Sequence, residues 1–139
     1  MGERRTTGDF MDPSQRQSIL ERARKSVPEV SPQDAKSEMD EGKLGIFLDV
    51  REAHELRKGY IPGAVRIVLD EVPDAGDPDS KFADEQLTAR KDDRIIVYCA
   101  TGLRSLIGGY YLQQLGYSNV ASLAGGIQGW QQAGNPTER

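Results

Sequence analysis

Cys99 is the only cysteine in this 139-residue chain, and its neighbours are what suggest chemistry. It ends the run Arg94-Ile95-Ile96-Val97-Tyr98 and opens Ala100-Thr101-Gly102-Leu103-Arg104-Ser105, beyond which apolar residues recur at helical spacing. A strand that delivers a thiol to a glycine-containing loop before a helix brings two positive influences to one sulfur. The helix start supplies unpaired backbone N–H groups, and Arg104 supplies a fixed charge. Both favour thiolate over thiol. That matters because a free cysteine, with a pKa of about 8.5, is only a few per cent ionised at neutral pH, and the thiolate is the nucleophile. The plain alternative is a lone cysteine packed as a small hydrophobe. The place at a strand's carboxyl end, with Arg104 in reach, favours the reactive reading.

The residues around Cys99 take roles on the same grounds. Gly102 permits a turn with its N–H groups aimed inward, a conformation costly for a residue with a side chain. The amides of residues 100–105 would then encircle the sulfur as an oxyanion hole encircles oxygen. Thr101 and Ser105 could add hydroxyl donors, although Ser105 also suits the N-cap of the following helix, and the cap is the preferred reading. Asp49 interrupts the apolar run Leu44–Val50 and is expected to be buried and hydrogen-bonded, with Arg51 two residues on. His54 sits among charges and is too isolated to act as a base. Trp130 reads as core.

Composition narrows the field. One domain fits this length, and it can bury a core without disulfide or metal staples. A single cysteine and a single histidine exclude an internal disulfide and a conventional His/Cys metal cluster. No apolar run reaches membrane-spanning length and the charged start lacks a signal-peptide core, so the expectation is a cytoplasmic protein with no membrane contact. Net charge is −4, which gives no reason to invoke nucleic acid. Residues 1–27 carry six basic and four acidic side chains, the remainder twelve and eighteen. In so acidic a body any anion site has to be local, made from a helix end and one or two arginines.

The elements that position these residues can be read from pattern. Residues 1–11 are polar and without periodicity, and read as disordered. Asp12-Pro13-Ser14-Gln15 is a capping-box helix start, with the helix running to about Lys25 and presenting Ile19, Leu20 and Ala23. Ser31-Pro32 starts a second helix that stops at Gly42. Leu44–Val50 is a strand apolar on both faces, residues 52–57 a short charged helix, and Val65–Leu69 another strand. The segment Asp70–Asp79, with five acids and two prolines, reads as a loop, and Phe82–Ala89 as a modest helix with Phe82 and Leu87 inward. Arg94–Tyr98 and Asn119–Leu123 are strands, Ser105–Leu115 a helix, and Gly125-Gly126-Ile127 opens a last helix carrying Trp130. The tail from Asn135 reads as frayed. Alternating apolar strands and helices mean an α/β fold with a mainly parallel sheet between helices, whose functional crevice lies at the strands' carboxyl ends.

Four signatures stand in order: Leu48-Asp49-Val50-Arg51-Glu52; Gly59-Tyr60-Ile61-Pro62-Gly63-Ala64; Ile96-Val97-Tyr98-Cys99 with Gly102-Leu103-Arg104-Ser105; and Leu123-Ala124-Gly125-Gly126-Ile127-Gln128-Gly129-Trp130. Together they make the chain resemble the single-domain rhodaneses, which are thiosulfate sulfurtransferase-like proteins, over about Val30 to Gly134. The resemblance implies a central parallel five-stranded sheet flanked by helices on both faces; the additional N-terminal helix, read from its capping box, lies outside it. It divides the chain into an extension, 1–28, partly disordered and then helical, and a rhodanese-like domain, 29–139. It implies a sulfurtransferase without a cofactor or metal, in which Cys99 carries a persulfide. Ala100, Thr101, Gly102, Leu103, Arg104 and Ser105 form the substrate cradle, and Asp49 and Arg51 support it. The partners implied are a small anionic sulfur donor, a thiol or cyanide acceptor, and a sulfur-accepting protein. Tyr60 stands where many relatives have His, and Ala100 where some thiosulfate enzymes carry a basic residue, which leaves the donor open.

Two rivals are weighed on the same residues. A phosphatase or arsenate reductase would also use a thiolate and a downstream arginine, but places one residue more between them than the four found here, Ala100 to Leu103. A tighter ring suits one sulfur better than a tetrahedral oxyanion. A sulfur-relay or regulatory module with weak activity is the second rival, with the N-terminal helix and the acidic segment 70–79 as docking surfaces.

Overall fold

The computed structural model describes residues 12–139; the reading of residues 1–11 as disordered lies outside them. Five strands, β1 (Glu29–Val30), β2 (Ile46–Asp49), β3 (Val65–Arg66), β4 (Ile95–Tyr98) and β5 (Val120–Leu123), form one sheet in the order β1-β5-β4-β2-β3. Every pairing is parallel. All residues of β2, β4 and β5 are buried, as expected for strands covered on both faces.

Side chains alternate across the sheet and split the core into two layers. Ile95, Val97 and then Cys99 face one side, with Leu48, Val120, Ile107 and Leu112. Ile96 and Tyr98 face the other, with Phe47, Leu123, Ile127 and Trp130. Helix α5 (Leu103–Gln114) covers the first layer; α2 (Pro32–Asp40) and α6 (Gly126–Gln132) cover the second. In that second layer Phe47 meets Trp130 edge-on at 5.3 Å and Tyr98 at 6.1 Å, geometries that suit aromatic quadrupoles.

The N-terminal helix α1 (Pro13–Ser26) begins as the sequence indicates, with Asp12 accepting from the Gln15 amide and Gln15 reaching back to the Asp12 amide. It docks on α5, where Ala23, Val27 and Leu106 form a small apolar cluster. Among the described residues no helix is long and apolar enough to cross a membrane.

Several local expectations give way to tertiary demands. Strand β3 stops at Arg66 rather than Leu69. The amides of Ile67 and Leu69 still bond the carbonyls of Asp49 and Val50, but the chain coils from Leu69 into a 3-10 turn (Leu69–Glu71) and α3 (Val72–Ala75). The acidic segment is therefore partly helical, anchored by buried Val72 and Ala75 with Pro73 in the first turn. Helix α4 shortens to Glu85–Thr88, capped by Asp84; Leu87 is buried, whereas Phe82 is exposed. Helix α5 begins two residues earlier than expected, which places Leu103 and Arg104 in its first turn.

The tail is not frayed. Tyr60 and Glu138 exchange both backbone hydrogen bonds at 2.8 Å, and the indole N–H of buried Trp130 donates to the Pro136 carbonyl at 2.8 Å. A buried donor left without its acceptor costs about 1–3 kcal/mol. Deleting residues 136–139 is accordingly expected to lower the urea-unfolding free energy by roughly that amount; an unchanged midpoint would show that water replaces Pro136 at no cost.

Candidate active site

Cys99 is 1% exposed and lies at the carboxyl end of the central strand β4. The loop that follows is fixed from below by α6. The Cys99 and Ala100 carbonyls accept from the amides of Ile127 and Gln128 at 2.9 and 3.2 Å, donors that lie in the first turn of α6. The approach is so close that a side chain on Gly126 would place its Cβ 2.5 Å from the Cys99 carbonyl oxygen and the Ala100 carbonyl group. Gly126 also has φ +61°, so both space and backbone require glycine there.

With its carbonyls held on that side, the loop turns at Gly102, whose φ of +111° makes it the N-cap of α5. The Gly102 amide donates to Cys99 Sγ at 3.1 Å. It is the one main-chain donor bonded to the sulfur among the described residues, fewer than the encircling set expected from sequence. The sulfur's second partner is the Ser105 hydroxyl at 3.5 Å. Ser105 is buried and is not the helix cap: its Oγ lies 2.7 Å from Ser122 Oγ on β5. Thr101 and Leu103 face solvent and Ala100 is partly exposed, so the loop covers the sulfur with its outer side open.

Arg104 faces a partner that the sequence did not disclose. Its two terminal nitrogens donate to the two carboxylate oxygens of Glu55 at 2.7 and 2.8 Å. These hydrogen bonds hold the Glu55 carboxyl down to about 2, against a smaller opposing effect of burial. They also raise the Arg104 guanidinium above its ordinary value, with a lesser contribution from charge on Cys99, which puts Arg104 within electrostatic reach of the sulfur.

Asp49 and Arg51 stand in the opposite layer from Cys99. Both are buried, and the Arg51 guanidinium donates to both oxygens of Asp49, at 3.0 and 2.8 Å, and lies over the Tyr98 ring. Its remaining bonds reach the carbonyls of Gly59 and Glu55, at 2.9 and 3.3 Å, at the turn and within the 3-10 helix Ala53–Lys58. Arg51 thus holds the segment that carries Glu55, and Glu55 holds Arg104. Tyr98 ties the same layer to the loop by accepting from the Ile61 amide at 3.1 Å, one residue before the cysteine. His54 is exposed, and Trp130 is fully buried. The residues that sequence reasoning missed are Glu55, Ser122 and Gly126. Only Gly126 left a signal, in the Gly125-Gly126 pair before an apolar helix.

A family model described as a rhodanese-like domain matches residues 31–133. The chain is 31% identical to a thiosulfate sulfurtransferase of Actinobacillus succinogenes, over 79% of this chain and 89% of that protein. It is 29% identical to the human thiosulfate:glutathione sulfurtransferase, over 75% and 93%. Some relatives are longer: the chain spans 51% of a 32% identical Bacillus subtilis protein. Among solved structures, a Rhodopseudomonas palustris protein of unknown function, named a possible tyrosine phosphatase, superposes with a TM-score of 0.81 at 29% identity, over 88% of this chain and 93% of that one.

Two outcomes follow from this geometry. The Glu55 carboxyl is lower in the folded chain than its ordinary 4.5, so its contribution is complete above that pH and disappears as pH falls through about 2. Glu55→Gln is expected to cost about 1 kcal/mol at neutral pH, the pair being partly solvent-screened, with the gap to the parent protein closing below pH about 4 in denaturant titrations. Gly126→Ala is expected to lose about 1–3 kcal/mol. It should also alter the rate at which iodoacetamide alkylates Cys99; an unaltered rate would detach α6 from control of the loop.

Proposed function

The chain belongs to the rhodanese-like domain family, and on that premise we propose that it is a sulfurtransferase that moves a sulfane sulfur through a persulfide on Cys99. The observation that carries this reading is the Gly102 amide 3.1 Å from Sγ, at the amino end of a twelve-residue helix. That end concentrates partial positive charge where a thiolate, and then a persulfide anion, would sit.

The reaction balances in two halves. The Cys99 thiolate attacks the outer sulfur of thiosulfate; a sulfur–sulfur bond forms to Cys99, the bond to the sulfonate sulfur breaks, and sulfite leaves with the electron pair. A nucleophile such as cyanide then attacks the outer sulfur of the persulfide. The electron pair of the Cys99 disulfur bond returns to Cys99, and thiocyanate departs. Ser105, linked to Ser122, offers the sulfur a hydroxyl that can accept from the thiol or donate to the anion. The reading takes a donor such as thiosulfate and cyanide or a thiol as acceptor, in the surroundings of a cytoplasmic protein.

A phosphatase reading, which the name of the Rhodopseudomonas protein brings up, fits these residues less well. Four residues separate Cys99 from Arg104, and both terminal nitrogens of Arg104 are already committed to Glu55. An arginine so engaged is not free to clasp phosphate in the bidentate manner.

Incubation with thiosulfate is expected to add about 32 Da, one sulfur, to Cys99. Cyanide should remove it as thiocyanate, and Cys99→Ser should do neither. Turnover of p-nitrophenyl phosphate without sulfur transfer would reverse the assignment. Arg104→Ala should lower kcat/KM for thiosulfate about tenfold, because it leaves the Glu55 carboxylate uncompensated at the first turn of α5. Adding Glu55→Gln should restore much of that loss; no recovery in the double mutant would mean that Arg104 acts on the donor itself.

A further inference from the structure

Strand β5 is apolar apart from one hydroxyl, that of Ser122, which is fully buried. Strand alternation places it with Val120 on the face of the sheet that carries Cys99. Its register partner on β4 is Val97, two residues before the cysteine. Ser122 Oγ lies 2.7 Å from Ser105 Oγ, and Ser105 Oγ lies 3.5 Å from Cys99 Sγ. Three atoms thus stand in a row, one sulfur and two hydroxyl oxygens, and neither serine is exposed to solvent. We propose that Ser122 is a positioning residue for the sulfur chemistry: its hydroxyl donates to Ser105 and thereby aims the Ser105 proton at Cys99 Sγ. The kinetic consequence rests on the sulfurtransferase reading, whereas the direction of the hydroxyl chain does not.

Hydrogen-bond accounting fixes that direction. A hydroxyl carries one proton and two acceptor lone pairs. The Ser122 side chain has one hydrogen-bond partner among the described residues, Ser105. If Ser105 donated to Ser122, the Ser122 proton would be left without an acceptor at a fully buried position, which is costly. If Ser122 donates, Ser105 keeps its own proton, and the other partner of its hydroxyl is the sulfur. Ser105 then joins the Gly102 amide as a second donor to Sγ. A hydroxyl that is itself accepting donates more strongly, because successive hydrogen bonds polarise one another. Two convergent donors suit a thiolate better than a thiol. Negative charge rests on Sγ at two points of the cycle: in the free thiolate, and again when the disulfur bond breaks and its electron pair returns to Cys99. In the persulfide it rests on the outer sulfur. The chain from Ser122 therefore favours ionisation of the free cysteine. It also favours departure of Cys99 in the second half-reaction, since a thiol of lower pKa leaves faster.

The test compares Ser122→Thr with Ser122→Val in the full chain. Both side chains are β-branched and of one shape, so the hydroxyl is what differs between them. Ser122→Ala, which adds no bulk, repeats the comparison against the parent. The midpoint of the pH profile for iodoacetamide alkylation of Cys99 is expected to rise by about half a unit in Ser122→Val and Ser122→Ala, a roughly threefold change in the ionisation equilibrium. Ser122→Thr should keep the parent midpoint. The charged groups around the site, Arg104 on α5 with its partner Glu55 and the Asp49–Arg51 pair in the opposite layer, are common to all these variants. Ser105→Ala should shift the midpoint at least as far, and adding Ser122→Val to it should shift it no further, because Ser122 acts through Ser105. In persulfide-loaded protein, single-turnover transfer to cyanide should slow about twofold in Ser122→Val and keep the parent rate in Ser122→Thr. Equal midpoints for the Thr and Val variants, or a Ser122→Val shift that adds to that of Ser105→Ala, overturn the proposal. A parent protein that takes no sulfur from thiosulfate overturns the sulfurtransferase reading, while the midpoints still decide the direction of the chain.

Discussion

The docking of two carbonyls onto the amino end of α6 determines what the loop after β4 can do. A peptide chain leaving a parallel strand carries donors and acceptors on both sides, and a loop with neither side fixed would have no preferred inner face. Here the carbonyls of Cys99 and Ala100 are committed to the Ile127 and Gln128 amides. With one side taken, the reversal at Gly102 directs its amide to the sulfur, and α5 starts at once. The close packing of Gly126 under the loop prevents the alternative of a more distant α6. The second glycine at the start of the last helix is therefore as much a part of the site as the glycine in the loop.

From that junction the two layers of the sheet do different work. The layer containing Cys99 supplies the sulfur's local partners, Gly102, Ser105 and, through Ser105, Ser122. The opposite layer supplies mechanical support at a distance. Asp49 orients Arg51, Arg51 ties down the segment around Glu55, and Glu55 fixes the Arg104 guanidinium. A buried ion pair such as Asp49–Arg51 contributes little net stability once desolvation is counted, but removing one partner leaves an uncompensated charge in the core. Its value to this fold is geometric: it holds Glu55 in a turn that has no buried residues of its own.

How much of this was legible in the sequence depended on how local the signal was. The capping box at Asp12 and the cap at Ser31, the apolar runs of β2, β4 and β5, and the strand-to-helix place of Cys99 are encoded within a few residues and match the structure. The failures are non-local. Val65–Leu69 has the composition of a strand, but after Arg66 the chain leaves strand geometry, bonding Asp49 and Val50 only through the Ile67 and Leu69 amides, and turns at Leu69 with Ile67 and Leu69 buried in the layer under α5. The tail is polar and reads as loose, yet Tyr60, far away in sequence, gives it a backbone partner. Phe82 reads as core by type alone and is left outside by a helix of one turn. Ser105 has the composition of a cap, but α5 begins earlier and the hydroxyl is taken inside. Glu55 and Arg104 are 49 residues apart, and no spacing rule connects them.

The pairing of Arg104 with Glu55 also changes how an anion could be attracted to an acidic chain. A free arginine at the loop would have offset the net charge of −4 locally; a neutralised one does not. What remains at the sulfur is the amino end of α5, whose influence fades within about one turn. Such a field can hold an anion already in place but does little to draw one in from solvent, where screening acts over about 8–10 Å.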